Sequence, residues 1–217
     1  MIKVLIATPS YDGRLDAWYT NSLINTVVLG LQNEIAFQPV FMSYDALIQR
    51  SRNDLLEIAF SNDFDHILWI DSDIEWNPEW AVKLILSDKD VIGGTYPKKS
   101  LEEQYTVKSE IKDFVENDEG LVSVSSLGTG FLKVSKKAFT YLWDISQPYI
   151  HNGKENRWVF EVKVQDNDII SEDGLMCQKL KEGGFEIFLD ISMTCNHIGT
   201  LKYQGNFKAF IDKLKIS

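Results

Sequence analysis

Four short apolar runs, Lys3 to Thr8, Ile35 to Met42, His66 to Ile70 and Asp90 to Ile92, are separated by segments whose apolar residues recur with helical spacing. Between the first two, Leu23, Ile24, Val27, Val28 and Leu31 mark a helix over Tyr19 to Asn33. Between the next two, Leu47, Ile48, Leu55, Ile58 and Ala59 mark another over Asp45 to Ser61. Pro78 opens the third, at a position where its missing N–H costs nothing. Short continuous apolar runs read as strands buried on both faces. Strand and helix alternating in this way require right-handed crossovers and therefore a parallel sheet. Gly93-Gly94 is expected to stop the fourth strand.

The second half has a different texture. Tyr105 to Ile111, Leu121 to Ser126 and Phe131 to Val134 read as short strands, and Lys136 to Trp143 has helix spacing. Alternation over Trp158 to Val164 predicts another strand, Glu172 to Glu182 a helix, Phe185 to Leu189 a strand and Asn206 to Lys215 a closing helix. The expectation is one domain over residues 1–217, with a nucleotide-binding half at 1–100 and a mixed half at 101–217 that shapes the site of a second substrate. A chain of 217 residues can bury a full core, and no repeat or low-complexity linker interrupts it.

The formal net charge of −10 argues against duplex DNA or RNA as a partner, because phosphate contacts need a basic face. Any phosphate-bearing ligand would need its charge offset, most simply by a divalent cation. Cys177 and Cys195 form no CxxC pair and are expected to be reduced thiols. Met1 to Ala7 is too short for the apolar part of a signal peptide and reads as a first strand. No apolar stretch approaches the ~18 residues of a membrane span, so the expected location is cytoplasmic.

Three signals carry chemistry. Leu68-Trp69-Ile70 runs straight into Asp71-Ser72-Asp73, which puts two carboxylates at a strand's carboxyl end, where ligands of open α/β sheets bind. Two carboxylates there can hold Mn²⁺ or Mg²⁺ together with a diphosphate; the same letters also describe a solvated acidic turn. Ser171-Glu172-Asp173 opens a helix, either as a cap with acidic residues on the dipole or as a catalytic carboxylate pair. Asn196-His197-Ile198-Gly199 follows the last predicted strand, and an imidazole there suits Mn²⁺ as well as it suits a structural role.

The ordered set resembles the GT-A glycosyltransferases, in particular small viral domains of the chlorella-virus type. It comprises Thr8-Pro9, Ser51-Arg52-Asn53, Ile70-Asp71-Ser72-Asp73-Ile74 with Pro78, Gly93-Gly94-Thr95-Tyr96-Pro97, Gly128-Thr129-Gly130-Phe131, Glu172-Asp173 and His197. The resemblance covers most of the chain. It implies a Rossmann-like α/β fold and transfer of a sugar from a nucleotide-diphosphate sugar, UDP-linked, to a hydroxyl on a glycan or glycoprotein acceptor.

Residue by residue, the resemblance implies that Thr8, Pro9 and Tyr11 contact nucleobase and ribose, with Tyr11 able to stack on the base. Asp45 is the acidic residue nearest the base, and Arg52 faces the diphosphate unless it is a surface arginine. Asp73 is the primary metal ligand, Asp71 the supporting one, and His197 the third; Ser72 lies between them and Lys202 reaches a phosphate. Asp173 takes the acceptor's proton in the inverting case, and Glu172 binds sugar hydroxyls. Gly128, Thr129 and Gly130 lie under the acceptor, or else form a turn before a strand. Two other classes compete: a nucleotidyltransferase on a related fold, and a non-enzymatic sugar- or metal-binding module. The loop Thr8 to Arg14 has one glycine and one arginine, which counts against the first.

Overall fold

The computed structural model describes residues 1–109 and 114–216. In chain order the first half runs β1 (Ile2–Ser10), α1 (Ala17–Gln32), β2 (Ile35–Ser43), α2 (Ile48–Ser61), β3 (His66–Ile70), β4 (Ile74–Glu75), α3 (Pro78–Leu86) and β5 (Val91–Thr95). Next come β6 (Val107–Lys108), β7 (Leu121–Ser123), β8 (Ser126–Leu127), β9 (Phe131–Ser135), α4 (Lys136–Ile145), β10 (Pro148–His151), β11 (Lys154–Arg157), β12 (Lys163–Gln165) and β13 (Asp168–Ile170). The chain closes with α5 (Glu172–Glu182), β14 (Ile187–Thr194), β15 (Asn196–Ile198), β16 (Lys202–Tyr203) and α6 (Phe207–Ile216).

The central sheet has seven strands in the order β2-β1-β3-β9-β5-β14-β7. β2, β1 and β3 are mutually parallel, as are β5 and β14; β9 and β7 run antiparallel to their neighbours. This is the expected mostly parallel α/β sheet. The surprise is β9, contributed by the second half, which separates β3 from β5. Antiparallel insertion lets the five parallel strands all end at one edge, and it brings the start of β9 to that same edge.

Side chains alternate across the sheet with period two. Leu5, Ala7, Ile67 and Trp69 enter one core with Leu55 and Leu56 of α2, Phe139 and Leu142 of α4 and Leu180 of α5. Val4, Ile6, Leu68 and Ile70 enter the other with Tyr19 and Leu23 of α1 and Ala81 and Leu84 of α3. The chain leaves β1 toward β2 through α1 and returns past it to β3 through α2. Reversal of direction puts the two helices on opposite faces and opens a crevice at the carboxyl end of β1.

Several element boundaries differ from the sequence reading. Gly93-Gly94 do not stop the fourth strand but lie inside β5. A Cβ on Gly93 would meet Phe131 O at 2.5 Å and one on Gly94 would meet Met193 O at 2.6 Å, so glycine lets β9 and β14 close in. Of the predicted strand Trp158 to Val164, only Lys163 and Val164 are strand, as the start of β12, and Trp158 to Val162 is not. The buried Asn53 side chain substitutes for a neighbouring strand there, accepting from Val159 N at 3.1 Å and Phe160 N at 2.9 Å and donating to Phe160 O at 3.1 Å. Two hairpins flank that segment, β10–β11 and β12–β13. Asn152-Gly153 and Asp166-Asn167 turn them, all four residues at positive φ as tight two-residue turns require. The predicted Tyr105 to Ile111 strand contracts to β6, and residues 110–111 lie outside the described residues. Cys177 and Cys195 are buried free thiols, and no helix among the described residues is long and apolar enough to cross a membrane.

Candidate functional site

The carboxyl edge carries a cleft of about 250 Å³ lined by Pro9, Ser10, Tyr11, Asp45, Ala46, Ile48, Ser51, Asp71, Ser72, Asp73 and His197. Its walls are the end of β1 and the residue after it, the loop after β2, the start of α2, the turn after β3, and β15. The turn after β3 is fixed at both sides: Asp71 N donates to Gly130 O at 3.4 Å and Ile198 N donates to Asp73 O at 2.7 Å. β15 pairs antiparallel with β4, setting His197 opposite Ile74 and beside Asp73.

Arg52 joins two of the sequence signals. Its Nη2 donates to Asp71 Oδ1 at 3.0 Å and its Nη1 to Glu172 Oε1. Its guanidinium also lies 6.0 Å from the Phe160 ring centre. Burial opposes the charge, but Asp71, Glu172 and Asp173 together hold the guanidinium pKa above its ordinary value. Burial pushes the Asp71 carboxyl up, against the pull of Arg52, and the nearby Asp73 adds to the rise. Asp73 goes the other way: despite burial, His197 and Lys99 hold it below the usual carboxylate range.

His197 Nδ1 lies 2.9 Å from Pro97 O. A carbonyl only accepts, so Nδ1 carries the hydrogen and Nε2 is turned toward Asp73 Oδ1, 3.5 Å away. A ring locked through Nδ1 to a carbonyl, with Nε2 aimed at a carboxylate, is the arrangement that orients histidine toward a cation. Asp73 and His197 thus fit a divalent ion that takes its other ligands from phosphate and water. Asp71 fits less well as a direct ligand, since Arg52 holds its Oδ1. Among the described residues, no three His, Cys, Asp or Glu side chains gather closely enough to hold a metal by themselves.

The acidic pair at the start of α5 is not a simple cap. Ser171 makes no side-chain bond to the helix N–H groups. Its hydroxyl donates instead to Asp173 Oδ1, which also accepts from Gly174 N at 2.7 Å.

The remaining sequence candidates fall into four groups. Pro9, Tyr11, Asp45 and Ser72 line the cleft. Asp45 is already clasped by Arg50, through Nε at 2.7 Å and Nη2 at 2.6 Å. Thr8 lies beneath the cleft, buried, its hydroxyl bonded to Tyr19 Oη at 2.6 Å. Lys202 sits off the cleft, paired with Glu75 and 4.2 Å from the Trp18 ring centre. Gly128 and Gly130 are explained by Tyr96, whose Oη a Cβ at either would meet at 2.6 Å, and Gly130 N donates to that oxygen at 3.1 Å. Thr129 is buried between them.

Sequence reasoning missed Lys99, whose Nζ donates to Asp73 Oδ2 at 2.6 Å. Its signal was a lysine pair just past a strand's carboxyl end. It also missed Tyr44, which is 82% exposed at the cleft's rim, as Tyr11 is at 73%. Tyr44 N donates to Tyr11 O at 3.2 Å, and Tyr44 holds a positive φ of 62°, uncommon for a bulky residue.

Fold and cleft together define a mostly parallel α/β protein with its site at the carboxyl edge of the sheet. No protein-family model matches the chain, and no curated protein matches it in sequence. Among solved structures it is similar to A197 from STIV, with a TM-score of 0.56 and 18% identity over 92% of this chain and 86% of that one. That likeness shows a shared fold. A glycosyltransferase involved in glycosylation of the major capsid of PBCV-1 matches with a TM-score of 0.36 and 13% identity, covering 64% of this chain and 63% of that one. A putative glucose-1-phosphate thymidylyltransferase from Bacillus anthracis, in complex with a sucrose, matches with a TM-score of 0.43 and 10% identity over 99% and 94% of the two chains.

Proposed function

We propose that this chain is a metal-dependent glycosyltransferase of GT-A type, moving a hexose-type sugar from a nucleoside-diphosphate sugar, UDP being the expected nucleotide, to a hydroxyl of a glycan or glycoprotein. The observation that carries the reading is the Arg52 bridge, which ties the carboxylate after β3 to the acidic pair that opens α5. A donor site and a base for the acceptor would have to adjoin, and one buried arginine supports both.

In this reading Asp73 and His197 would hold Mn²⁺ or Mg²⁺, which would supply positive charge against the leaving diphosphate. Arg52 fixes Asp71 through Oδ1, leaving Oδ2 for a ribose hydroxyl. Tyr11 offers a face to the base. Glu172, held by Arg52 through Oε1, orients sugar hydroxyls with its other oxygen. Both hydrogen bonds to Asp173 fall on Oδ1, so Oδ2 is the oxygen to take a proton. The acceptor oxygen bonds the anomeric carbon as that carbon's bond to the diphosphate breaks, and the hydroxyl proton passes to Asp173 in the inverting case. Holding the two substrates in line is itself worth up to roughly 7–11 kcal/mol of the barrier.

The test is thermal stabilisation by UDP in Mn²⁺ and in EDTA. At a hundred times the dissociation constant, ligand linkage adds ~2.7 kcal/mol, which in a chain of this size is a rise of roughly 5–11 °C. The rise should appear with Mn²⁺ and vanish in EDTA; an equal rise in both sinks the metal reading. On the same preparation, Asp173→Asn should keep the Mn²⁺–UDP rise while transfer falls ~10²–10⁴-fold.

A further inference from the structure

The carboxylate best suited to hold a metal already has a cation on it. Lys99 Nζ lies 2.6 Å from Asp73 Oδ2, while Oδ1 faces His197 Nε2 at 3.5 Å. Both oxygens therefore meet nitrogen, and the ammonium stands at the group a metal would take. The placement is built into the backbone. Pro97, two residues before Lys99, accepts the His197 Nδ1 hydrogen, so the lysine and the histidine are tied to one segment. Gly199, two residues after His197, makes room for the lysine stem: a Cβ there would meet Lys99 Cδ at 3.2 Å and Cε at 3.5 Å.

The pair is also easily exchanged. The Lys99 and Asp73 side chains are 38% and 37% exposed, and an ion pair that open to water is weakly held. Its neighbours are committed elsewhere: Arg52 is closed between Asp71 and Glu172, and Lys202 is on Glu75. A long flexible lysine can swing from a carboxylate to a nearby phosphate without moving the backbone.

We propose that Lys99 is a stand-in cation, neutralising Asp73 in the ligand-free protein and passing to the diphosphate when metal and nucleotide arrive together. The proposal rests on the metal-dependent reading above. It makes two linked demands. Metal alone must displace an ammonium and receives no help, so it binds weakly. Diphosphate gives the displaced ammonium a second anion, so metal and diphosphate bind cooperatively.

The experiment is calorimetric titration of Mn²⁺ alone, and of UDP in saturating Mn²⁺, into the wild-type chain and into Lys99→Met, which keeps an unbranched stem against Gly199 and removes the charge. Mn²⁺ alone should bind about 5-fold more tightly to the variant, and UDP in Mn²⁺ about 5-fold more weakly, the two shifts having opposite signs. Lys99→Arg, which keeps the charge, should restore the wild-type pattern. If the wild type binds both ligands and Lys99→Met moves neither, or moves both the same way, the exchange is refuted while the metal reading stands. If the wild type binds UDP equally well in EDTA and Lys99→Met abolishes that binding, Lys99 is a permanent replacement for the metal, and exchange and metal reading fall together. A wild type that binds neither Mn²⁺ nor UDP overturns both as well.

Discussion

Arg52→Met should strand two carboxylates while leaving most of the packing in place. The arginine side chain is 4% exposed and its partners Asp71 and Glu172 are 25% and 15% exposed. Removing one member of a buried pair costs ~3–5 kcal/mol. Since both carboxylates keep some access to water, the lower end, about 3 kcal/mol, applies. For a chain of this size each kcal/mol moves the melting temperature by roughly 2–4 °C, so a fall of about 6–12 °C is expected by calorimetry. Methionine retains an apolar stem beside Phe160, so the loss is chiefly that of charge. Two controls separate charge from shape. The double variant Arg52→Met, Glu172→Gln should be less destabilised than the sum of the singles, because one stranded charge is gone. The deficit should also shrink as pH falls toward the ordinary carboxylate range, where an unpaired buried carboxyl takes up a proton. A fall of less than ~2 °C, or strict additivity in the double variant, would refute the bridge as the element joining these motifs.

Lys133, buried in β9, donates to Ser87 O at 3.1 Å and to Lys89 O, and burial pushes its pKa down to about 8 from an ordinary 10.5. A depressed folded-state pKa means that its contribution is fully present above 10.5 and is lost as pH falls through about 8. Wild-type stability relative to Lys133→Met should therefore rise between those two values, read by urea melts across the range; a flat difference would remove Lys133 as the titrating group. Gly130→Ala should lose ~1–3 kcal/mol by overpacking, since the new methyl would lie 2.5 Å from Tyr96 Cζ, and unchanged melting would show that Tyr96 yields freely.

The fold was legible where one physical rule dominates. β3 and α5 agree residue for residue with the sequence reading because an apolar run cut by Asp71, and a helical period opened by Ser171, leave little choice. It was illegible where a distant group supplies what local pattern omits. Gly93-Gly94 reads as a stop, yet the close approach of β9 and β14 turns it into strand. Trp158 to Val164 alternates like a strand, yet Val159 and Phe160 bond instead to the side chain of Asn53, more than a hundred residues earlier. The cleft shows the same division. Asp71, Asp73 and His197 were singled out from their places after strands, and Pro9, Tyr11 and Asp45 through the family resemblance; all six line one cleft. The partners that define what they do, Lys99 for Asp73 and Arg52 for Glu172, follow only from how the strands are ordered.

Those partners explain why two aspartates one residue apart need not share a task. Asp71 is half-buried against the enclosed Arg52, and its pKa is pushed up by that burial. Such a carboxylate is anchored, and its energetic role is to balance the arginine. Asp73 is partly exposed, and despite burial its pKa is held down by His197 and Lys99. Two identical groups placed in opposed environments acquire opposed properties, one with its pKa pushed up and one with its pKa held down. The backbone makes the distinction: Asp71 N is tied to Gly130 at the head of β9, and Asp73 O to Ile198 in β15. The inserted antiparallel strand and the small β4–β15 pairing therefore do for the cleft what the parallel sheet cannot, setting one of its carboxylates against Arg52 and the other between Lys99 and His197.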